Sequence, residues 1–113
     1  MRLTPQDSRQ CFDAIANHGG VVLFLGRGDV GKSTRIQELV GQVTERGDSV
    51  AVLDADVGQS TYGLPTTLTL VHFSAEARDP TPAEIARFFV GAISPVGHLL
   101  QTLVGCRRLL DRA

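Results

Sequence analysis

At 113 residues the chain is at most one small domain. Its 42% hydrophobic and 5% aromatic content suits a core built on Val, Leu and Ile rather than on aromatic packing. A net charge of −1 excludes a general basic footprint, so any contact with nucleic acid must be local. No stretch approaches the roughly eighteen apolar residues of a membrane-spanning helix, and the N-terminus lacks the apolar run of a signal peptide. The expectation is a cytoplasmic protein, nuclear in a eukaryote, with no membrane partner.

In chain order, Thr4, Pro5 and Asp7 make a helix start, with an N-cap, a first-turn proline and an acid in the first turn. The helix is expected to run to about Asn17, bury Cys11, Phe12 and Ile15, and end at Gly19 and Gly20. Val21, Val22, Leu23, Phe24 and Leu25 follow as a continuous apolar run, the pattern of a strand buried on both faces.

That run leads into Gly26, Arg27, Gly28, Asp29, Val30, Gly31, Lys32, Ser33 and Thr34, which match GxxxxGK[ST] without a mismatch. In such a phosphate-binding loop (P-loop) glycines let backbone N–H groups turn onto a triphosphate, the lysine reaches the β and γ phosphates, and the hydroxyl holds Mg²⁺. Lys32 and Ser33 fill the last two roles. Ile36, Leu39, Val40 and Val43 then recur at helical spacing before Gly47.

Ser49 to Leu53 reads as a second strand. Joined to the first by a short helical crossover, it is expected to lie parallel and right-handed beside it. Asp54 and Asp56, inside Asp54–Ala55–Asp56–Val57–Gly58–Gln59–Ser60, would then emerge next to the phosphate loop at the carboxyl edge of the sheet. Asp54 suits a magnesium-bound water, and Asp56 suits the proton of an attacking hydroxyl. Aspartates also follow strands simply as turn formers.

Beyond a Gly/Pro/Thr loop, Thr67 to Phe73 reads as a third strand, with His72 a packed residue rather than a metal ligand. A polar connection spans residues 75 to 82. Thr81, Pro82 and Glu84 then suggest one helical turn, followed by a strand from Arg87 to Ala92. Ser94 and Pro95 repeat the cap pattern and would open a helix through Arg112, with Leu99, Leu103, Cys106 and Leu110 on one face. Its free N–H groups, near Ser94 to His98, could meet a phosphate or hydroxyl of a second substrate; an ordinary capped start explains them equally well. Cys11 and Cys106 form no CxxC and read as reduced, structural residues. The fold expected is α/β, a P-loop NTPase with a parallel sheet and flanking helices. It would be truncated to the N-terminal part of one domain.

The ordered motifs GRGDVGKST, DADVGQS, GLPTTL and FFVGAISPVGHL, from about Val21 to the C-terminus, resemble those of the polynucleotide 5′-hydroxyl kinase family. The family includes RNA kinases of pre-mRNA cleavage, tRNA splicing and pre-rRNA processing, and prokaryotic relatives. The resemblance implies ATP or GTP and Mg²⁺ as cofactors, and transfer of the γ-phosphoryl to a 5′-hydroxyl end of RNA or DNA. By motif position, residues 26 to 34 would bind the nucleotide, with Lys32 catalytic and Ser33 and Asp54 at the metal. Asp56 would activate the hydroxyl, and Gln59, Ser94 and His98 would lie near the polynucleotide. Family members carry a later lid with phosphate-clamping arginines, which this chain does not contain. Two alternatives remain. One is an ATPase switch of the partitioning or metal-insertion type, whose signature lysine is missing at Arg27, Gly28 and Asp29. The other is a nucleotide-binding scaffold without catalysis.

Overall fold

Reciprocal capping starts the first helix, α1, Pro5–His18. The Thr4 hydroxyl accepts from the Asp7 N–H at 3.1 Å, and the Asp7 carboxylate accepts from the Thr4 N–H at 3.0 Å. These bonds satisfy two donors that a bare helix end would leave open. The Thr4 side chain first, and its backbone second, hold the Asp7 carboxyl below the ordinary aspartate range. The computed structural model describes residues 4–25, 31–75 and 81–113.

Within α1 Phe12 is buried and Ile15 half-buried, as the spacing predicts, but Cys11 is exposed. The second helix, α2, Lys32–Glu45, follows Gly31, whose φ of 85° is a left-handed conformation that glycine adopts without penalty. Leu39 and Val40 are its buried residues. At its far end the Arg46 guanidinium pairs with Asp13, tying α2 to α1.

The sheet departs from expectation. Strands β1, Val50–Asp54, β2, Thr67–Phe73, and β3, Ala83–Phe89, pair in the order β1-β2-β3, and both pairings are antiparallel. The parallel P-loop sheet is therefore not what the described residues form. Val21 to Leu25, expected as the first strand, are not in a strand, and Val21, Leu23 and Leu25 are largely exposed. A continuous apolar run records a preference for burial but names no partner. What remains are consecutive strands whose connections at 55–66 and 74–82 carry no helix in the described residues. Parallel pairing ordinarily needs such a helical crossover, so each strand returns antiparallel to the last.

Strand alternation divides the core in two. Val50 and Val52 of β1 share a face with Val71 and Phe73 of β2 and pack against Ile36 and Val40 of α2. Leu53, Leu68, Leu70 and Ala86 face the other way, with Val57, Val90 and the third helix, α3, Leu99–Leu110. Between Leu70 and Val71 the β2–β3 register shifts, passing from Ala86 to Glu84 and leaving Ile85 as the extra residue of a bulge.

The C-terminal third needs three corrections. Residues 81 to 84 contain no helical turn, and the strand is 83–89 rather than 87–92. Ser94 and Pro95 lie in a bend, and α3 begins four residues past Pro95 with His98 at its cap. The buried face of α3 carries Gly105 and Leu109, with Cys106 half-buried, while Leu99 and Leu103 are about 70% exposed. Gly105 sets the docking: a Cβ there would sit 2.5 Å from Phe88 Cδ1 and 2.6 Å from Leu68 Cδ1. A helix approaches a sheet most closely at a residue with no side chain. That contact, not the leucine spacing, chose the buried face.

Candidate functional site

The start of α2 is suited to an anion. Its N-terminal backbone N–H groups have no side-chain cap, and the first turn holds no acidic residue, so the positive end of the helix is uncompensated. Ser33 and Thr34 are exposed there, and Lys32 is half-buried. Gly26, Arg27, Gly28, Asp29 and Val30 lie outside the described residues.

Asp54 ends β1 and turns its carboxylate into the loop that follows. Its Oδ2 accepts from the Ser60 hydroxyl at 3.0 Å, the Thr61 N–H at 2.7 Å and the Tyr62 N–H at 2.9 Å, while Oδ1 accepts from the Asp56 N–H at 3.2 Å. Ser60 Oγ in turn accepts from the Gly63 N–H at 2.8 Å. Asp54 is thus the hub that folds residues 55–63 around one carboxylate. Asp56 is exposed and pinned on one oxygen only, its Oδ1 accepting from Gly58 and Gln59 N–H at 3.2 and 3.0 Å. Among the described residues Asp56 Oδ2 accepts no hydrogen bond, so the carboxylate is oriented while one oxygen faces outward.

The loop is anchored from below and from the side. A Cβ on Gly63 would collide with Thr69 Oγ1, a fully buried hydroxyl on the central strand. Thr66 takes a φ of 71°, strained for a β-branched residue, yet its N–H donates to the Val57 carbonyl at 2.9 Å. Its own carbonyl accepts from the Val90 and Gly91 N–H groups at 2.9 and 3.2 Å. The GLPTTL motif carries no sign of this strain, because threonine has no left-handed preference that spacing would reveal.

The segment after β3 flanks the same loop. A Cβ on Gly58 would lie 2.7 Å from the Ile93 carbonyl, so the two backbones touch. Ser94, beside that contact, accepts from the Val96 N–H at 3.2 Å and is exposed. His98 is half-buried at the α3 cap, makes no capping bond with its side chain, and presents its carbonyl to the Thr102 hydroxyl at 2.9 Å. The structure therefore gathers Asp54, Asp56 and Gln59 in one loop, with Ser94 alongside. Lys32 and Ser33 stand on a separate element, and a residue missed in the sequence links the two: Tyr62. Its ring meets Phe73 edge-on at 5.7 Å between centroids and packs into the cluster beneath α2.

The fold is thus that of a small α/β protein that carries an uncapped, anion-suited helix start and an aspartate-organised loop. The chain belongs to the family described as the mRNA cleavage and polyadenylation factor CLP1 P-loop, whose model matches residues 26–113. Membership of a P-loop family implies nucleotide binding. The chain is 34% identical over 96 residues to a polyribonucleotide 5′-hydroxyl-kinase of Pyrococcus horikoshii, covering 81% of this chain and 26% of that protein. It is 30% identical over 112 residues to the one from Thermococcus kodakarensis, covering 96% and 32%, and 34% identical over 93 residues to that of Pyrococcus furiosus, covering 80% and 26%. The chain thus spans about a quarter to a third of the length of these relatives. No solved structure matches it. No helix among the described residues is long and apolar enough to cross a membrane.

Proposed function

We propose that the protein is a polynucleotide 5′-hydroxyl kinase and that this chain supplies its nucleotide-binding start and its hydroxyl-activating aspartate. The γ-phosphoryl of ATP or GTP passes to the 5′ oxygen of a polynucleotide, with RNA the substrate that the relatives' names favour. The bond to the β-phosphate breaks, the nucleoside diphosphate leaves, and Asp56 takes the proton of the attacking hydroxyl. The observation that carries this reading is the half-engaged Asp56 carboxylate, oriented through Gly58 and Gln59 and open at Oδ2.

Lys32 reaches the terminal phosphates, and Gly31 to Thr34 direct N–H groups toward them. Magnesium, when bound with the nucleotide, neutralises charge between the β and γ phosphates. The oxygen donors fit it unequally. Ser33 presents an exposed hydroxyl beside the phosphate site, whereas Asp54 Oδ2 is occupied by three donors and only Oδ1 keeps an acceptor position for a metal-bound water. No cluster of three or more His, Cys, Asp or Glu occurs among the described residues, which suits an ion held largely by phosphates and water. Gln59, Ser94 and His98 are assigned to the polynucleotide end because the Gly58 to Ile93 contact sets their segments side by side.

The test is transfer of label from γ-labelled ATP, with Mg²⁺, to an oligonucleotide bearing a 5′-hydroxyl. Transfer is expected, and it falls to background in Lys32→Ala and in Asp56→Asn, whose side-chain carbonyl keeps the loop bonds. Transfer unchanged in Asp56→Asn would overturn the assignment. A second reading, a nucleotide-binding scaffold, is favoured by the commitment of Asp54 to its own loop; tight nucleotide binding with neither transfer nor phosphate release would establish it.

A further inference from the structure

The loop of residues 55–66 meets the segment after β3 at two separate points, and backbone makes both. At the first, Gly58 leaves no room for a side chain: a Cβ there would lie 2.7 Å from the Ile93 carbonyl oxygen, a clash that no rotamer change relieves. The same Gly58 donates its N–H to Asp56 Oδ1 at 3.2 Å, so the residue that touches the facing segment also orients the carboxylate. Thr66 is the second point. Its N–H donates at 2.9 Å to the carbonyl of buried Val57, the residue just before Gly58, and its own carbonyl accepts from the Val90 and Gly91 N–H groups at 2.9 and 3.2 Å. Thr66 makes these bonds at a φ of 71°, a conformation that costs a β-branched residue free energy and persists only where the surroundings enforce it. Between the two points, Gly63 seats the loop directly on buried Thr69.

From this geometry we infer that Gly58 and Thr66 are positioning residues, a two-point clamp that makes the Asp56 loop and residues 90–94 move as one body. A single contact would leave the loop free to pivot, and a second one removes that rotation. The inference rests on the kinase reading above for its effect on transfer; the clamp itself does not. Asp56 lies on one side of the clamp, and Ser94, assigned to the polynucleotide end, lies on the other. A proton acceptor must stay within hydrogen-bond reach of the 5′-hydroxyl, so a pivot that separates the two sides slows transfer without weakening the hold on nucleotide. The strain at Thr66 works against the clamp, because opening releases it. Easing that strain therefore tightens the clamp, a sign that an ordinary loop contact does not share.

The experiment pairs Gly58→Ala, which forces the Ile93 carbonyl away, with Thr66→Asn, which eases the strain because asparagine enters the left-handed region more readily. Backbone amide exchange is read on the side opposite each substitution: at Val90 and Gly91 for Gly58→Ala, and at Gln59 for Thr66→Asn. Gly58→Ala is expected to speed exchange and Thr66→Asn to slow it, each by about three- to tenfold, the range for one neutral hydrogen bond, with the amides of α2 unchanged. Exchange that changes only beside the substituted residue, that quickens at Gln59 in Thr66→Asn, or that quickens everywhere including α2 would overturn the clamp. In the transfer assay, Gly58→Ala is expected to lower kcat/KM for the oligonucleotide by a similar factor while the nucleotide KM stays unchanged. An equal loss toward both substrates, or no loss, would overturn the role in transfer. Should wild type transfer no phosphate at all, the kinase reading and the role in transfer fall together, and the exchange comparison still decides the clamp.

Discussion

Two aspartates separated by one alanine do different work here. Asp54 gathers four hydrogen bonds and shapes its loop, while Asp56 is oriented and left half open. Replacing Asp54 by alanine leaves the Thr61 and Tyr62 N–H groups and the Ser60 hydroxyl without their acceptor. It is expected to lower stability by about 2–3 kcal/mol, read as a shift in the urea midpoint, whereas Asp56→Asn should cost under about 1 kcal/mol. The sequence marked both residues, since acids after a strand beside a phosphate loop are a strong signal. It did not rank them, because turn-forming and metal-binding aspartates occur in the same pattern. Tyr62 escaped notice for a related reason: one aromatic residue in a polar loop has no period, and its ring partner Phe73 lies on a separate strand.

At the scale of elements, the helix starts read most faithfully where a side chain does the capping. The Thr4–Asp7 box was legible because its chemistry is local, three residues apart. Its electrostatics carry a pH dependence. The folded Asp7 carboxyl titrates below its unfolded value, so its contribution to α1 is present above the unfolded aspartate range and is lost as pH falls through the folded one. Circular dichroism should show α1 fraying on acidification, and Asp7→Asn should weaken that step.

The α3 start was misread because Ser94 and Pro95 satisfy the same local rule but are spent in a bend, with Ser94 accepting from Val96. Which side of α3 is buried was equally out of reach, since its leucines spread over about half of its circumference and the deciding residue is a glycine. Leu103→Glu is therefore expected to change stability by no more than about 0.5 kcal/mol, whereas Leu109→Ala should cost roughly 2–5 kcal/mol in a denaturation curve.

For the whole molecule, the strands at β1 and β2 were visible in the sequence, and their directions were not. Direction depended on Val21 to Leu25 forming a partner strand for β1, and apolar content cannot specify a partner. Both sheet faces are instead covered by α2 and α3, whose approach was written in Val40 and, less plainly, in Gly105. Candidate site residues could be picked out in the sequence because phosphate chemistry demands particular residue types at short spacing, while sheet topology is a long-range choice.

The irregularity between Leu70 and Val71 reaches further than one missing rung. In a regular strand, side chains three positions apart project to opposite sides, so Glu84 and Arg87 should never meet. The additional Ile85 reverses the parity between them, and their side chains pair at 2.5 Å on a common surface. One inserted residue has thereby converted two charges on opposite sides into neighbours, placing a cation and an anion together on an edge strand, where paired charges discourage a foreign strand from adding on.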